Sequence, residues 1–221
     1  MKRIFMTGAT GYMGKSLVPL LLARGHEVSA LVRKQSAGKL PSGCVAVTGD
    51  ALDKNTYESQ LAGVNTFIHL AGVSHPNPAK AAEFRKVDLV ASYNAIDAAQ
   101  SAGVAHFIYV SVAHPAPMMK AYIEVRRECE EKLRASGLNA TVLRPWYVLG
   151  PGHRWPYLLL PTYWLLEAIP STRNSARRLG LVTLQEMVAA LLHAVEHPAE
   201  GGRIVDVPAI RASASSTPAA R

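Results

Sequence analysis

The sequence predicts an α/β fold in which parallel strands form one sheet with helices on both faces. Two observations predict it. A short apolar strand, a glycine-rich turn and an apolar-periodic helix follow one another within the first 23 residues. Further along, a glycine closes a helical segment directly before a short apolar strand three times, at Gly25, Gly103 and Gly137. This repeated order is typical of βα units, which build a parallel sheet.

The first strand, Ile4–Met6, ends in a glycine loop at residues 8–14 with the sequence Gly-Ala-Thr-Gly-Tyr-Met-Gly. A pyrophosphate needs backbone N–H groups directed at it from a helix N-terminus, with no side chains in the way. Gly8 would make the sharp turn, Gly11 the close approach to phosphate, and Gly14 the tight packing of helix on strand. An ordinary glycine-rich turn is the alternative, but the order of strand, loop and helix favours a dinucleotide site.

The glycine spacing is G-x-x-G-x-x-G, and residues 7–14 resemble the cofactor loop of the short-chain dehydrogenase/reductase superfamily. More narrowly, residues 2–208 are similar to its atypical NAD(P)H-binding branch, compact proteins related to the extended, epimerase-type members. The resemblance implies a Rossmann-like doubly wound parallel sheet and a nicotinamide cofactor. It assigns cofactor contacts in this loop to Gly8, Thr10, Gly11, Tyr12, Met13 and Gly14.

The second strand, Glu27–Val32, is followed by the basic pair Arg33 and Lys34. A site for NAD carries an acidic residue about here for the adenosine ribose, whereas an Arg accommodates a 2′-phosphate. The Arg fork matches phosphate geometry better than a point charge does. We therefore predict NADP (NADPH) as the cofactor, with a solvated basic pair as the alternative.

Asp50 and Ala51 follow the third strand, Cys44–Thr48. The resemblance implies that an Asp at this place contacts the adenine amino group and that the next residue assists through its backbone. Asp50 could also cap a helix that starts near Asp53, and the two roles are compatible.

The fourth strand, Val64–Leu70, runs into the small residues Ala71 and Gly72. Small residues let a cofactor pass close to the backbone, as in the family's fourth-strand loop, and we include Leu70 in this contact. A loop over the site at Gly72–Ala79, containing His75, and a long helix at Ala79–Ala102 are expected next.

Three residues carry the expected chemistry. Ser111 follows the fifth strand, Ala105–Val110, at the sheet edge where ligands bind in open α/β folds. Tyr122 and Arg126 lie four positions apart on the next helix and therefore share a face. The alternative is a helix that carries a half-buried Tyr and a solvated Arg.

This constellation resembles the family's Tyr-x-x-x-Lys pair with its preceding Ser. The resemblance implies that Tyr122 exchanges a proton with the substrate oxygen while hydride moves to or from nicotinamide, and that Ser111 orients the carbonyl. A phenol needs a nearby cation to titrate closer to neutrality. Arg126 replaces the family's Lys; it keeps the charge but cannot release a proton to a relay.

After the sixth strand, Asn139–Leu143, the chain resembles the family's Arg-Pro and Gly-Pro segment, which passes the nicotinamide ring. The resemblance assigns the ring's face and the pocket wall to Pro145, Trp146, Tyr147 and Val148. The apolar segment Trp155–Ile169 then predicts a small C-terminal cap, residues 151–180, over a hydrophobic substrate pocket. A membrane-surface segment is the alternative, but its basic polar face is missing.

The remaining elements complete one domain, residues 1–210. An amphipathic helix at Thr183–Glu196 and a short strand at Arg203–Val207 are expected, followed by a disordered Ala/Ser-rich tail at residues 211–221. The length of 221 residues and a hydrophobic content of 49% suit one globular domain with a full core.

Composition excludes several classes of protein. Cys44 and Cys129 lack the spacing of metal or redox motifs, and the scattered histidines lack carboxylate pairing, so we expect no metal and a cytoplasmic protein. The N-terminus fits no signal peptide, and no apolar run reaches the ~18 residues of a membrane span. The net charge of +8 is scattered, which speaks against a nucleic-acid partner.

The sequence therefore predicts an NADP-dependent oxidoreductase, monomeric or homodimeric, that acts on a small and hydrophobic carbonyl or alcohol with Tyr122 as acid/base. The alternative is a catalytically weak NADP(H)-binding sensor or scaffold. A sugar-nucleotide epimerase is less favoured, because about 60 residues after the sixth strand leave little room for a nucleotide-sugar lobe.

Overall fold

A computed structural model of the chain describes residues 1–74, 76–116, 118–151 and 178–216. In chain order its strands are β1 (Arg3–Thr7), β2 (Glu27–Val32), β3 (Val45–Thr48), β4 (Thr66–His69), β5 (His106–Val110), β6 (Ala140–Leu143), β7 (Tyr147–Leu149), β8 (Leu181–Thr183) and β9 (Gly202–Val205). The main sheet has seven strands in the order β3-β2-β1-β4-β5-β6-β9, each parallel to its neighbours. The predicted Rossmann-like doubly wound sheet is confirmed.

Helices cover both faces of this sheet. In chain order they are α1 (Gly14–Ala23), α2 (Val90–Ser101), α3 (Lys120–Ala135), α4 (Leu184–Glu196) and α5 (Val207–Ser216). Helices α1, α4 and α5 share one hydrophobic core, and α2 and α3 pack into a second core on the opposite face. Both faces of the central strands are buried, as expected of a parallel sheet with helices on each side.

Side chains alternate between the two faces along the central strands, so the two cores receive different types of side chain. Ile4, Ile68 and Ile108 point into the core of α1 and α4, whereas Phe67 and Phe107 point into the core of α2 and α3. The rings of Phe67 and Phe107 stack with centroids 5.2 Å apart. The period of two along each strand therefore supplies an aliphatic layer and an aromatic layer from the same short segments.

The strand order reverses between β1 and β4. From β1 the chain builds outward through β2 and β3, then crosses over to β4 and continues on the other side. Thr7 and His69 end these two strands and are partners in the register. Ligands of open α/β sheets bind at the carboxyl ends of the strands next to such a reversal.

Two predicted helices differ from the observed ones. The helix expected near Asp53 is a pair of short 3₁₀ turns, Lys54–Thr56 and Glu58–Leu61. The long helix expected over Ala79–Ala102 changes type along its length: a 3₁₀ turn at Pro78–Lys80 and one α-turn precede a π-helical segment at Phe84–Leu89, which leads into α2. The wider π turn buries both Phe84 and Asp88.

The C-terminal segment is more ordered than expected. Residues 211–216, predicted to begin a disordered tail, continue α5, and the expected strand ends at Val205. Val207 and Ile210 are fully buried, so this short helix is stabilised by packing rather than by its Ala/Ser composition. The Arg211 guanidinium donates hydrogen bonds of 2.8 and 3.1 Å to the Leu181 carbonyl, which ties α5 to β8.

A second sheet was not foreseen: β7 and β8 pair in parallel, from Tyr147↔Leu181 to Leu149↔Thr183. Most of the predicted cap lies outside the described residues, since residues 152–177 are not among them; His75 and residues 217–221 of the expected tail also lie outside. Within the described ranges, none of the helices combines the length and apolar character needed to cross a bilayer.

Candidate cofactor and active site

The glycine loop closes tightly around the ends of β1 and β4. Gly8 has a φ of +75°, and a Cβ there would lie 2.7 Å from the Leu70 carbonyl carbon. A Cβ on Gly14 would overlap the Gly8 carbonyl oxygen and lie 2.6 Å from the Ala9 Cα. Gly8 therefore makes the sharp turn and Gly14 packs the helix against it, while the phosphate contact of Gly11 stays a prediction.

Helix α1 begins at this loop, and the Met13 side chain at its N-cap position accepts no hydrogen bond from the first backbone N–H groups. The Tyr12 hydroxyl lies against Gly150, where a Cβ would overlap the phenol oxygen. Because Gly150 directly follows β7, this contact brings the glycine loop beside Tyr147 and Val148. Two segments predicted to contact the cofactor are thus neighbours.

Buried hydrogen bonds hold the loop after β4. The Ala71 backbone N–H donates to Thr7 Oγ1 at 3.2 Å, and Thr7 Oγ1 and His69 Nδ1 are 3.0 Å apart. The opposite ring nitrogen of His69 lies 3.3 Å from Ser92 Oγ. Burial, together with the charge of Arg126, lowers the pKa of His69 to about 3, so the ring is neutral. Its two nitrogens connect Thr7 to Ser92.

The predicted adenosine side of the site lies where β2 and β3 end. Arg33 and Lys34 are exposed, and the Gly49 N–H donates to the Val32 carbonyl at 3.1 Å, which joins the two strand ends. Asp50 Oδ1 accepts from the Leu52 N–H at 3.0 Å. The following turn is capped by Asp53, whose Oδ1 accepts from the Asn55 N–H; Asp50 does not cap it.

Tyr122 and Arg126 are in contact. The Arg126 guanidinium carbon lies 4.9 Å from the centroid of the Tyr122 ring, and the Tyr122 and Phe84 rings pack at a steep angle with their centroids 5.0 Å apart. Arg126 is 6% exposed, so the interpretation of a solvated Arg is wrong. The cation lies under the phenol in a buried setting, where such contacts are strongest.

Arg126 is held by three partners. One terminal nitrogen lies 2.5 Å from Asp88 Oδ1; the other donates to the Tyr109 hydroxyl at 3.1 Å and to the Val110 carbonyl at 3.2 Å. Burial raises the pKa of the Asp88 carboxyl, and the Arg126 guanidinium opposes that rise. The guanidinium therefore joins α3 to the π-helical segment and to the end of β5.

Ser111 has a different partner. Its hydroxyl donates to Glu130 Oε1 at 2.5 Å, and the same carboxylate forms an ion pair with Arg144. A carboxylate paired with a guanidinium only accepts hydrogen bonds, so the single hydroxyl hydrogen of Ser111 is donated in the hydrogen bond to Glu130. The structure thus brings Tyr122 and Arg126 together, but it directs Ser111 to Glu130 on the next turn of the same helix.

A family model described as NAD(P)H-binding matches residues 8–154. The chain belongs to this family. It is an atypical member of the short-chain dehydrogenase/reductase superfamily, and the family supports a nicotinamide dinucleotide as the ligand of the glycine loop.

The chain is similar in sequence to two curated relatives and in fold to one solved structure. The chain is 29% identical over 151 residues to ceramide reductase of Caulobacter vibrioides, covering 67% of this chain and 47% of the relative. It is 26% identical over 170 residues to 4-hydroxy-2-methyl-3-oxo-4-farnesyl-3,4-dihydroquinoline-1-oxide ketoreductase of Stigmatella aurantiaca, covering 67% and 51%. The chain therefore spans about half the length of these relatives. The enzyme WbmH of Bordetella bronchiseptica, solved in complex with NAD+, shares the fold at a TM-score of 0.69 and 20% identity, covering 93% and 75%.

In this short-chain dehydrogenase/reductase, the sequence did not reveal which residues hold the predicted site residues. Arg126 is held by Asp88 and Tyr109, and Ser111 by Glu130, which pairs with Arg144. One signal was available, because a cation on the inward face of a helix requires a buried carboxylate partner. Nothing local in the sequence says that this carboxylate is Asp88, which lies 38 positions before Arg126.

A small cleft of about 210 Å³ opens beside Tyr122. Its lining residues are Pro78, Phe84, Met119, Lys120, Ala121 and Tyr122. A larger cleft of about 500 Å³ borders the outer side of α3 between charged side chains such as Glu124 and Arg127. Of these two clefts among the described residues, the smaller one is lined by Tyr122, the predicted acid/base. Within the described residues, no group of three or more His, Cys, Asp or Glu is placed to hold a metal ion.

Proposed function

We propose that the protein is an NADP(H)-dependent oxidoreductase that interconverts a small, hydrophobic carbonyl compound and its alcohol, with Tyr122 as the acid/base. The observation that carries the proposal is the Tyr122 ring resting on the buried, charged Arg126 beside a cleft. The names of the two relatives, a ceramide reductase and a ketoreductase, support the reaction class.

The residues present fit a dinucleotide. Gly8 and Gly14 have no room for a side chain, and no side chain caps the N-terminus of α1. We assign the pyrophosphate to this loop, the adenosine half to Arg33 and Asp50, and the nicotinamide half to the segments after β4 and β6. When bound, NADPH supplies a hydride to the carbonyl carbon.

The chain's own residues supply the proton and the electrostatics. The Tyr122 hydroxyl donates its proton to the substrate oxygen in the reductive direction. The fixed charge of Arg126 under the ring stabilises the negative charge that remains on the phenol oxygen. Ser111, which donates to Glu130, can only accept a hydrogen bond from a further group; it therefore suits a substrate hydroxyl better than a carbonyl.

An Arg33→Asp substitution is expected to narrow or reverse a preference for NADPH over NADH. Arg33 is exposed at the end of β2, where its fork can pair with a 2′-phosphate. Calorimetric titration of both cofactors measures the preference. Lys39→Asp, with the same change of charge at the other end of the 3₁₀ turn Lys34–Lys39, should leave it unchanged. Equal affinities for NADPH and NADH in the unmutated protein would refute the assignment.

Hydrophobic substrates are expected to be preferred by on the order of tenfold or more in kcat/KM. The reasons are the apolar segment Trp155–Ile169 and the Phe84 and Met119 side chains beside Tyr122. NADPH oxidation, followed at the nicotinamide absorbance with aromatic and long-chain aldehydes against glyoxylate and pyruvate, measures it. Turnover confined to the small charged compounds would contradict the hydrophobic pocket.

A second candidate function is an NADP(H)-binding sensor or scaffold with little turnover. It is favoured by the internal partners of the site residues: Arg126 contacts Asp88 and Tyr109, and Ser111 contacts Glu130. Such a protein would bind NADPH through the same loop and Arg33. Substrate turnover that depends on Tyr122 separates the two functions.

A further inference from the structure

We infer that Asp88 is a positioning residue of the candidate site: its carboxylate fixes both the Arg126 cation under Tyr122 and the Gly72–Val73 backbone. The inference rests on the proposed function, because it concerns the same acid/base group. Asp88 is fully buried, and its two oxygens serve two different elements. Oδ1 lies 2.5 Å from Arg126 Nη2, and Oδ2 accepts from the Val73 N–H at 3.0 Å.

The π-helical segment and α3 meet in two parallel contacts. Phe84 and Tyr122 form one contact, with ring centroids 5.0 Å apart, and Asp88 and Arg126 form the other. The members of each helix lie four positions apart, so both contacts come from one face of each helix. The ring of Tyr122 therefore contacts both the Phe84 ring and the cation that Asp88 holds.

The Gly72 backbone leaves no space beside this ion pair. A Cβ on Gly72 would lie 2.7 Å from Asp88 Oδ1 and 2.9 Å from Arg126 Nη2. The loop after β4, which we predict to border the cofactor, therefore touches the ion pair directly. One carboxylate links the cofactor side of the site to the proton-transfer side.

Only a carboxylate can serve both partners here. The Val73 N–H and the guanidinium are both donors, so each oxygen of Asp88 must accept. An Asn has one accepting oxygen, and its amide would face either the Val73 N–H or Arg126 with a second donor. Asp88→Asn thus breaks one of the two contacts with almost no change of shape.

A control ion pair also joins α3 to α2, the helix that follows the π-helical segment. Lys132 Nζ lies 2.7 Å from Asp97 Oδ1, an ion pair between α3 and α2 in which both side chains are about one-third exposed. Asp97 touches neither the Gly72–Val73 loop nor Arg126 in any contact the structure describes. Asp97→Asn therefore removes an α2–α3 carboxylate of the same type without reaching Tyr122.

The experiment places 3-fluorotyrosine at position 122 of the full chain and records its ¹⁹F NMR signal in Asp88→Asn, Gly72→Ala and Asp97→Asn. The signal reports the charge and packing around the ring and needs no turnover. NADPH-dependent reduction of 4-nitrobenzaldehyde and the thermal midpoint are measured on the same samples. Gly72→Ala displaces the ion pair sterically without changing a charge, so it tests the inference even if Asp88→Asn does not fold.

Positioning predicts that the ¹⁹F signal shifts or broadens in Asp88→Asn and in Gly72→Ala but not in Asp97→Asn. It also predicts that kcat falls on the order of 10²-fold in Asp88→Asn, whereas KM changes little, because the acid/base group is displaced. An unchanged ¹⁹F signal in folded Asp88→Asn and Gly72→Ala, with only the thermal midpoint lowered, assigns Asp88 a purely structural role and overturns the inference. If the unmutated protein reduces no carbonyl compound, the proposed function fails, and the ¹⁹F result alone decides the role of Asp88.

Discussion

Tyr122→Phe is expected to reduce turnover on the order of 10²–10⁴-fold and to leave NADPH affinity nearly unchanged. Removing the hydroxyl takes away the proton that Tyr122 gives to the substrate oxygen. The ring itself remains, so its packing on Phe84 and over the Arg126 guanidinium persists. The predicted contacts to pyrophosphate and 2′-phosphate lie elsewhere, in the glycine loop and at Arg33. The loss therefore belongs in kcat rather than in the affinity for NADPH.

Tyr93→Phe is the matched control for this substitution. Tyr93 also lies close to a cation, with Lys132 Nζ 5.7 Å from its ring centroid, and its side chain belongs to the same core. Steady-state turnover and NADPH titration of both variants separate a catalytic hydroxyl from a general effect of losing one. If Tyr122→Phe retains every measurable activity, the catalytic proposal fails and the sensor takes its place.

Local chemistry made much of the fold predictable. Gly25, Gly103 and Gly137 each close a helix before a strand, and all three have φ values between +65° and +75°, which favour glycine. The turn at Gly8 and the capping of α4 by Thr183 and Glu186 follow equally local rules. Signals of this kind depend on residues within a few positions of each other, so a single sequence reveals them.

Features that depend on distant partners were not predictable in the same way. Asp88 and Arg126 are 38 positions apart, and β7 pairs with a strand more than 30 residues later. Helix α5 has the composition of a flexible tail, and it is stabilised by the burial of Val207 and Ile210 and by the hydrogen bonds from Arg211 to Leu181. In each case tertiary packing determines the structure, and residue type alone leaves several partners equally suitable.

The candidate site shows the same division between residue type and partner. The Tyr-x-x-x-Arg spacing was sufficient to place Tyr122 and Arg126 on one face of α3, and the structure brings them into contact. The spacing did not reveal their environment, because Asp88 and Tyr109, which hold Arg126, lie far from it in the sequence. The spacing of the motif therefore predicts that Tyr122 and Arg126 share a helix face, but it does not predict the partners that hold them.

Gly14→Ala is expected to destabilise the protein by about 1–3 kcal/mol and to weaken NADPH binding at least about tenfold. A methyl group there would overlap the Gly8 carbonyl oxygen and lie 2.6 Å from the Ala9 Cα, and both neighbours are backbone that cannot rotate away. Either α1 or the turn must move, and the first N–H groups of the helix move with it. A displaced helix N-terminus no longer directs its amides at a phosphate.

Gly202→Ala provides the same chemical change where it should be harmless, since a Cβ on Gly202 meets nothing within 4 Å. Its effect on stability is expected to stay within about 0.5 kcal/mol, as for surface substitutions away from strained positions. Urea unfolding gives the stability of each variant, and NADPH fluorescence titration gives the affinity. Should Gly14→Ala unfold at the same urea concentration as the unmutated protein and bind NADPH equally well, the close packing of α1 on the glycine loop would be wrong. A change in the free energy of NADPH binding that is larger than the change in the free energy of unfolding would instead support a pyrophosphate at this helix N-terminus. The reason is that a bound anion depends on the direction of those amides.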